Sequence, residues 1–328
     1  MKRLAVVGVG KMGLLHASLL STIPDVQLVA LCEKNPLVRK FCRRIIRSVE
    51  VVGDITELSA FNLDAIYVTT PASSHFPIIK TIYTKKIARD IFVEKPLASN
   101  YSESEQLCNF AKGMQSVTMV GYNRRFGVTF KKAKEILDEG TLGELFFFEG
   151  YAYSSDFIGN KSIAKTLAHG GALKDLGCHA VDAALWFFNE FEVQPNSTES
   201  QIDSPEDFVR FSVKTPKGLN GEIKSSRCMP NYRMPEIGLI VKGNKGILKV
   251  NDDKLDLTMD NGKVFTVYRQ DLDDNTPFFL GGSEYYRENE IFVQSILDRG
   301  LVEPNFAAGA RVERVINQAN EMMAKNGR

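Results

Sequence analysis

Long apolar runs, paired cysteines and an excess of charge of either sign are all missing from this sequence. No stretch approaches the roughly 18 apolar residues that a bilayer-crossing helix needs, which argues against a membrane span. The opening MKRLAVVGVGKMG breaks its short apolar stretch with glycines and does not lead to a small-residue cleavage site, so the chain reads as soluble, unexported and cytoplasmic. The five cysteines, Cys32, Cys42, Cys108, Cys178 and Cys228, are odd in number and scattered without CxxC spacing. That excludes a disulfide framework and leaves reduced thiols. Four histidines without a local group of carboxylates or thiolates give no metal signature. Lys and Arg total 41 against 40 Asp and Glu, a formal net charge of +1. No global field therefore draws the chain to nucleic acid or to an anionic membrane, and a charged partner must be recognised locally.

What is present suits two domains, because 328 residues exceed one ordinary core. Up to Gly121, short β-branched runs (RLAVVGV, QLVALC, DAIYVTT, DIFVEK, SVTMVG) alternate with helical segments (MGLLHASLLSTI, PLVRKFCRRII, HFPIIKTIYTKK, YSESEQLCNFAKG). This is βαβ logic and predicts an α/β domain over 1–121 with a doubly wound parallel sheet. Over 122–328 the pattern changes. A helix at 127–139 leads into LFFFEGYAY, and later runs from DFVRFSVKT to KVFTVYR alternate apolar and polar residues between turn signals such as PKG, GNKG and DNG. These features predict an α+β domain on a large, mostly antiparallel sheet. A terminal helix from about Ala307 to Lys325 follows, expected to pack back near the first domain.

The motif VVGVGKMG places Gly8, Gly10 and Gly13 as G-x-G-x-x-G between an apolar strand and a helix, with Lys11 and Met12 inside it. Gly8 permits a tight turn, Gly10 lets backbone approach a pyrophosphate, and Gly13 lets helix pack on strand, with the helix N-terminus facing the anion. Glu33 ends the next strand about 20 residues on, where a carboxylate accepts hydrogen bonds from ribose hydroxyls and repels a 2′-phosphate. NAD is thereby favoured, while Lys34 keeps NADP open; Arg39 and Arg43 read as a solvated basic helix face.

Further on come TTPASSH at 69–75, Glu94-Lys95-Pro96 at a strand end, and DLGCHAVD at 175–182. In this order and spacing the motifs resemble the Gfo/Idh/MocA oxidoreductases, and GYNRRF, GTLGEL and YYRENEIF extend the likeness along the whole chain. The resemblance implies an N-terminal Rossmann domain, a C-terminal open-sheet domain, a substrate cleft between them, and hydride transfer between a hydroxyl-bearing carbon and nicotinamide. It also implies dimers or tetramers formed through the second sheet. By the same resemblance Thr70, Pro71, His75, Glu94, Lys95 and Pro96 join the cofactor contacts, and Lys95, Asp175 and His179 form the catalytic group.

Oxidising a secondary alcohol needs a hydride acceptor and a base for the hydroxyl proton. His179 is the preferred proton carrier, Asp175 a carboxylate able to raise the histidine's proton affinity, and Lys95 a cation able to stabilise a developing alkoxide. Asp175 equally suits a helix N-cap. Substrate hydrogen bonds are expected from Tyr122, Asn123, Arg124, Tyr153 and His169, together with Asp175 and His179. Tyr151 and Asp156 are further candidates. Arg124 and Arg125 equally suit interface salt bridges, Asp182 supports the helix or orients His179, and His16 reads as structural. The leading function is NAD(P)-dependent oxidoreduction of a sugar, cyclitol or sugar derivative. The alternatives are a catalytically silent NAD(P)/sugar sensor on the same fold, and an enzyme that keeps and recycles a tightly bound NAD.

Overall fold

The computed structural model of the chain describes residues 1–156, 171–195, 197–200 and 208–326. They gather into two compact units, Met1–Asn123 with Thr276–Glu313, and Arg124–Asn275 with Arg314–Arg328. A continuous division after Gly121 places 276–313 in the second unit, whereas these residues pack with the first.

In the first unit, strands β1 (Lys2–Val7), β2 (Val26–Cys32), β3 (Glu50–Val52), β4 (Ala65–Val68), β5 (Asp90–Val93) and β6 (Thr118–Val120) form one sheet in the order β3-β2-β1-β4-β5-β6. Every pairing is parallel. This is the doubly wound dinucleotide order, with its switch point between β1 and β4. All residues of β4 and β5 are buried, as central parallel strands covered on both faces require. Helices α1 (Lys11–Leu20), α2 (Pro36–Ile45), α3 (His75–Thr84) and α4 (Tyr101–Gly113) connect them. Local chemistry starts these helices where the sequence suggests. Asn35 accepts from Leu37 N–H at 2.9 Å just before Pro36, and Asn100 accepts from Glu103 N–H at 2.9 Å.

The return of 276–313 has a packing cause. Helix α7 (Ser283–Asp298) buries Tyr286, Asn289, Phe292, Val293 and Ile296, and the Phe292 ring meets Tyr67 of β4 edge-on at 5.4 Å. (Helices α5, Val128–Asp138, and α6, Cys178–Phe188, belong to the second unit.) After it, the Arg299 guanidinium donates to Asp90 Oδ2 at 2.7 Å, and Phe306 N–H donates to Thr118 Oγ1 at 3.2 Å.

The second unit is built on a nine-stranded sheet. Its strands are β7 (Leu145–Tyr153), β8 (Glu192–Val193), β9 (Glu199–Ser200), β10 (Phe208–Lys214), β11 (Asn220–Ser226), β12 (Glu236–Gly243), β13 (Gly246–Asn251), β14 (Lys254–Met259) and β15 (Val264–Tyr268). The order is β15-β14-β13-β12-β7-β11-β10-β8, with β9 beside β10. All pairs are antiparallel except β7 with β11. Helix α5 (Val128–Asp138) precedes the sheet in sequence, and α6 (Cys178–Phe188) lies on it with nearly every residue buried. Gly150 makes that approach close, since a Cβ there would come within 3.2 Å of the Ala180 carbonyl oxygen. The terminal helix, α8 (Phe306–Asn326), closes the chain. No described helix is long and apolar enough to cross a membrane.

Candidate active site

A cavity of about 570 Å³ opens where β1, β2 and β4 end, lined by Gly8, Gly10, Glu33, Asp54, Thr69, Thr70 and Pro71 among others. The three glycines differ physically. Gly8 holds φ at +91°, a left-handed backbone, and a Cβ there would meet Thr70 Cγ2 at 2.6 Å. A Cβ at Gly13 would fall 1.9 Å from the Gly8 carbonyl oxygen, so helix and strand touch only because it is absent. A Cβ at Gly10 would meet nothing within 4 Å and would project into open space beside the N-terminus of α1. Lys11 is exposed and Met12 half-buried in the first turn. This is a cradle with unobstructed backbone and a helix N-terminus, the shape that a pyrophosphate fits.

Glu33 sits at the rim, held at both carboxylate oxygens. Val9 N–H donates to Oε2 at 2.8 Å and Asn35 N–H to Oε1 at 2.7 Å. A carboxylate has further lone pairs for ribose hydroxyls. The Arg39 guanidinium is already engaged, donating to the carbonyls of Glu33 at 2.9 Å and Lys34 at 2.7 Å, and Arg43 donates to Val51 O at 2.6 Å. Arg39 thereby braces the loop behind Glu33, while Arg43 is exposed on α2, as the sequence suggests, and reaches the edge strand β3. The nearby Cys32 thiol is pushed up to about 12, by burial first and by neighbouring carboxylates second, so it stays protonated.

The strand end at 94–96 has a cis bond between Lys95 and Pro96. Glu94 does not open toward the cavity. Its carboxylate is buried, accepting from Lys95 N–H at 3.1 Å and lying 3.0 Å from His16 Nε2. Burial raises its pKa, but the His16 hydrogen bond and the charges of His16 and Lys95 outweigh that and hold the carboxyl below its ordinary value. His75 is also fully buried. Its ring spans Thr70 O at 2.7 Å and Pro96 O at 2.9 Å, tying the TTPASSH turn to the EKP strand end. Burial lowers its pKa against the pull of those carbonyls. Expected as a cofactor contact, it is a buried strut between these two segments, because both ring nitrogens face backbone carbonyls. Tyr122 and Asn123, expected to meet substrate, are buried at 0% and 1% exposure in the same unit.

In the second unit, Asp175 occupies a π-helical turn, Leu173–Gly177, that runs directly into α6. The turn is pressed on β11, where Ser225 Oγ donates to Ala172 O at 2.9 Å and a Cβ on Gly177 would come 2.9 Å from Ser225 Cβ. Such turns shift the register of the residues that follow and concentrate at functional sites. Asp175 lies inside this turn, before the α6 cap position at Gly177, and its Oδ2 pairs with the Arg227 guanidinium at 2.8 Å. His179, four residues on, is 7% exposed. Asp182 is taken by Arg125 in a buried two-pronged pair at 2.7 and 3.0 Å. Arg124, expected to meet substrate, forks onto Asp252 at 2.9 and 3.1 Å inside the same unit. Tyr153 stands between the rings of Tyr151 and Tyr232, each centroid 5.1 Å away. His169 lies outside the described residues.

Comparison with known proteins places this arrangement. The model "Oxidoreductase family, NAD-binding Rossmann fold" matches residues 2–122, and the Gfo/Idh/MocA C-terminal domain matches residues 130–249. The chain belongs to the Gfo/Idh/MocA oxidoreductase family. It is 25% identical to an inositol 2-dehydrogenase of Rhizobium meliloti across 92% of this chain and 91% of that one. It is 23% identical to a myo-inositol 2-dehydrogenase of Thermotoga maritima across 80% and 74%. A levoglucosan dehydrogenase solved with NADH and levoglucosan shares the fold with a TM-score of 0.86 at 22% identity, covering 99% of this chain and 97% of that one.

Three side chains were not singled out from the sequence as site components. Arg227 carries no motif signal. Asn289 sits in a helix read only as a family feature. His16 did have a signal, a polar residue on the buried face of an apolar helix three positions after Gly13, and it was read as structural.

Proposed function

We propose that the protein is an NAD-dependent dehydrogenase or reductase acting on a secondary alcohol of a cyclitol or sugar. The observation that carries this reading is the pairing of an open position at Gly10 with Glu33 fixed at the cavity rim by Val9 and Asn35 N–H groups. Gly8, Gly10, Lys11, Met12 and Gly13 would hold the pyrophosphate, Glu33 the adenosine ribose, and Thr70, Pro71, Lys95 and Pro96 the nicotinamide half. When bound, the dinucleotide supplies the hydride acceptor or donor. The carboxylate of Glu33 and the engaged arginines support NAD over its 2′-phosphorylated form.

On the protein side, Lys95 offers a positive charge to the alcohol oxygen as it becomes alkoxide, and His179 takes the hydroxyl proton. Asp175 is not the proton acceptor in this scheme. It is engaged by Arg227 at 2.8 Å, and its negative charge, four residues before His179, serves to support the protonated histidine. Arg227 thereby becomes part of the substrate side of the site. Tyr153, between two other tyrosine rings, is proposed as a sugar contact. The names of these relatives set the core of the substrate panel, myo-inositol and levoglucosan, and scyllo-inositol and glucosides extend it, each with both cofactors. Growth of the reduced-nicotinamide absorbance with one of these supports the reading. Tight NAD binding with no turnover on any of them would favour the silent-sensor alternative instead. One oxidised equivalent per protein, with no free NADH accumulating, would favour a recycled cofactor.

A further inference from the structure

The contact between His16 and Glu94 has no part in the scheme above, yet it joins the two elements on which that scheme depends. His16 lies on α1, the helix whose N-terminus carries the glycine loop, and Glu94 immediately precedes Lys95. The imidazole is fully buried, packed against Tyr67 and Phe92 at centroid distances of 5.5 and 4.8 Å. Its Nδ1 is 3.1 Å from Asn289 Oδ1 and its Nε2 is 3.0 Å from Glu94 Oε1. Tyr285 decides which way the Asn289 amide faces. Asn289 Nδ2 donates to Tyr285 O at 2.7 Å, and the reversed amide would set oxygen against oxygen. Asn289 therefore offers His16 an acceptor, and Glu94 offers it another, so each ring nitrogen faces a hydrogen-bond acceptor. The ring cannot turn without breaking a hydrogen bond in apolar surroundings, where an unmade one is costly. The second Glu94 oxygen accepts Lys95 N–H at 3.1 Å.

We propose that His16, braced by Asn289, is a positioning residue that acts through Glu94 to fix the backbone of Lys95 and so aim its side chain. The chain of contacts runs from α7 through α1 to the end of β5, entirely within the first unit. A merely structural pair has a simpler solution at this position, since apolar residues of similar volume fill a core as well as buried ionic groups do. The proposal rests on the oxidoreductase reading of Lys95, and the test separates the two.

The test uses the full-length chain and His16→Gln, whose amide can donate to Glu94 but then turns its oxygen toward Asn289 Oδ1. Hydrogen exchange of the Lys95 amide is followed by NMR in cofactor-free protein, and kcat and KM for NAD are measured on the best alcohol of the panel. Exchange at Lys95 is expected to quicken about tenfold. Turnover kcat is expected to fall about tenfold to a hundredfold, with KM for NAD changed less than about threefold, because misaiming a group costs the reaction more than cofactor binding. A folded His16→Gln in which Lys95 exchange and kcat both stay within about twofold of wild type overturns the proposal, including where Tm falls, since that pattern reports packing alone. Should circular dichroism show His16→Gln unfolded, Asn289→Ala, which removes the acceptor that braces the ring, is judged by the same two readouts. If the wild-type protein turns over no alcohol, the oxidoreductase reading fails, while the Lys95 exchange still decides whether the contact fixes that backbone.

Discussion

Replacing Glu33 with alanine should invert the logic of cofactor choice, and the size of the change follows from the contacts. The carboxylate accepts two backbone N–H bonds at 2.8 and 2.7 Å and is placed to accept from both ribose hydroxyls. Hydrogen bonds to a charged group are worth roughly 1.5–3 kcal/mol each, toward the low end where solvent reaches them as it reaches Glu33. The 3′-hydroxyl contact is common to both cofactors, so losing the one to the 2′-hydroxyl should cost NAD about 2 kcal/mol relative to NADP. A 2′-phosphate near the wild-type carboxylate suffers like-charge repulsion of about 1 kcal/mol in water-like surroundings, and the variant removes it. The two effects together amount to about 3 kcal/mol, so the ratio of kcat/KM for NAD over NADP should fall by about two orders of magnitude. Steady-state kinetics with both cofactors at fixed alcohol measures that ratio. A ratio unchanged within about threefold would refute the assignment of Glu33 to the ribose.

The two loop glycines should fail differently. Gly13→Ala drives a Cβ to 1.9 Å from the Gly8 carbonyl oxygen, so its Tm should drop by several degrees or the protein should not fold. Gly10→Ala meets nothing within 4 Å; its Tm should stay near wild type while calorimetry shows NAD bound about tenfold more weakly, as a methyl enters the pyrophosphate cradle. Lys95→Ala and His179→Ala should each lose at least about a hundredfold in kcat while still binding NAD, a split that titration calorimetry and turnover resolve together. His75 supplies a pH test. Its pKa in the fold is lowered from 6.5, so the unfolded chain takes up the proton first. The stability it contributes is present above pH 6.5 and is lost as pH falls below that value toward the folded pKa. Thermal melts should show this decline, and His75→Gln should flatten it; an unaltered slope would contradict the lowered pKa of the buried ring.

Much of the first unit was legible because its strands declare themselves locally. AIYV and IFV are unbroken apolar runs, and the helical segments PLVRKFCRRII and YSESEQLCNFAKG begin at the first residues of α2 and α4. β3 was not legible, because EVV is three residues with no period to detect. In the second sheet the alternating runs appear as strands, but nothing within LFFFEGYAY or LNGEIKSS says that these two pair in parallel. Pairing is a property of the whole sheet. The return of 276–313 to the first unit escaped for the same reason, since the stripe of Tyr286, Phe292 and Ile296 predicts a buried face without naming what covers it. Candidate site residues were readable where backbone conformation or chain spacing forces the residue type, as at Gly8, Gly13 and Glu33. They were least readable where one charged side chain is claimed by another far along the chain. Asp252 takes Arg124, Arg227 takes Asp175, and His16 takes Glu94; none of those partnerships leaves a mark in local sequence.

The central claim is that this chain moves hydride between an alcohol and NAD. The most direct measurement is absorbance at the reduced-nicotinamide band when purified protein meets NAD and each inositol, levoglucosan or glucoside in turn. The account predicts sustained NADH formation with at least one of them, faster with NAD than with NADP, and abolished in Lys95→Ala. No NADH from any alcohol, by protein that calorimetry shows to bind NAD, would contradict it.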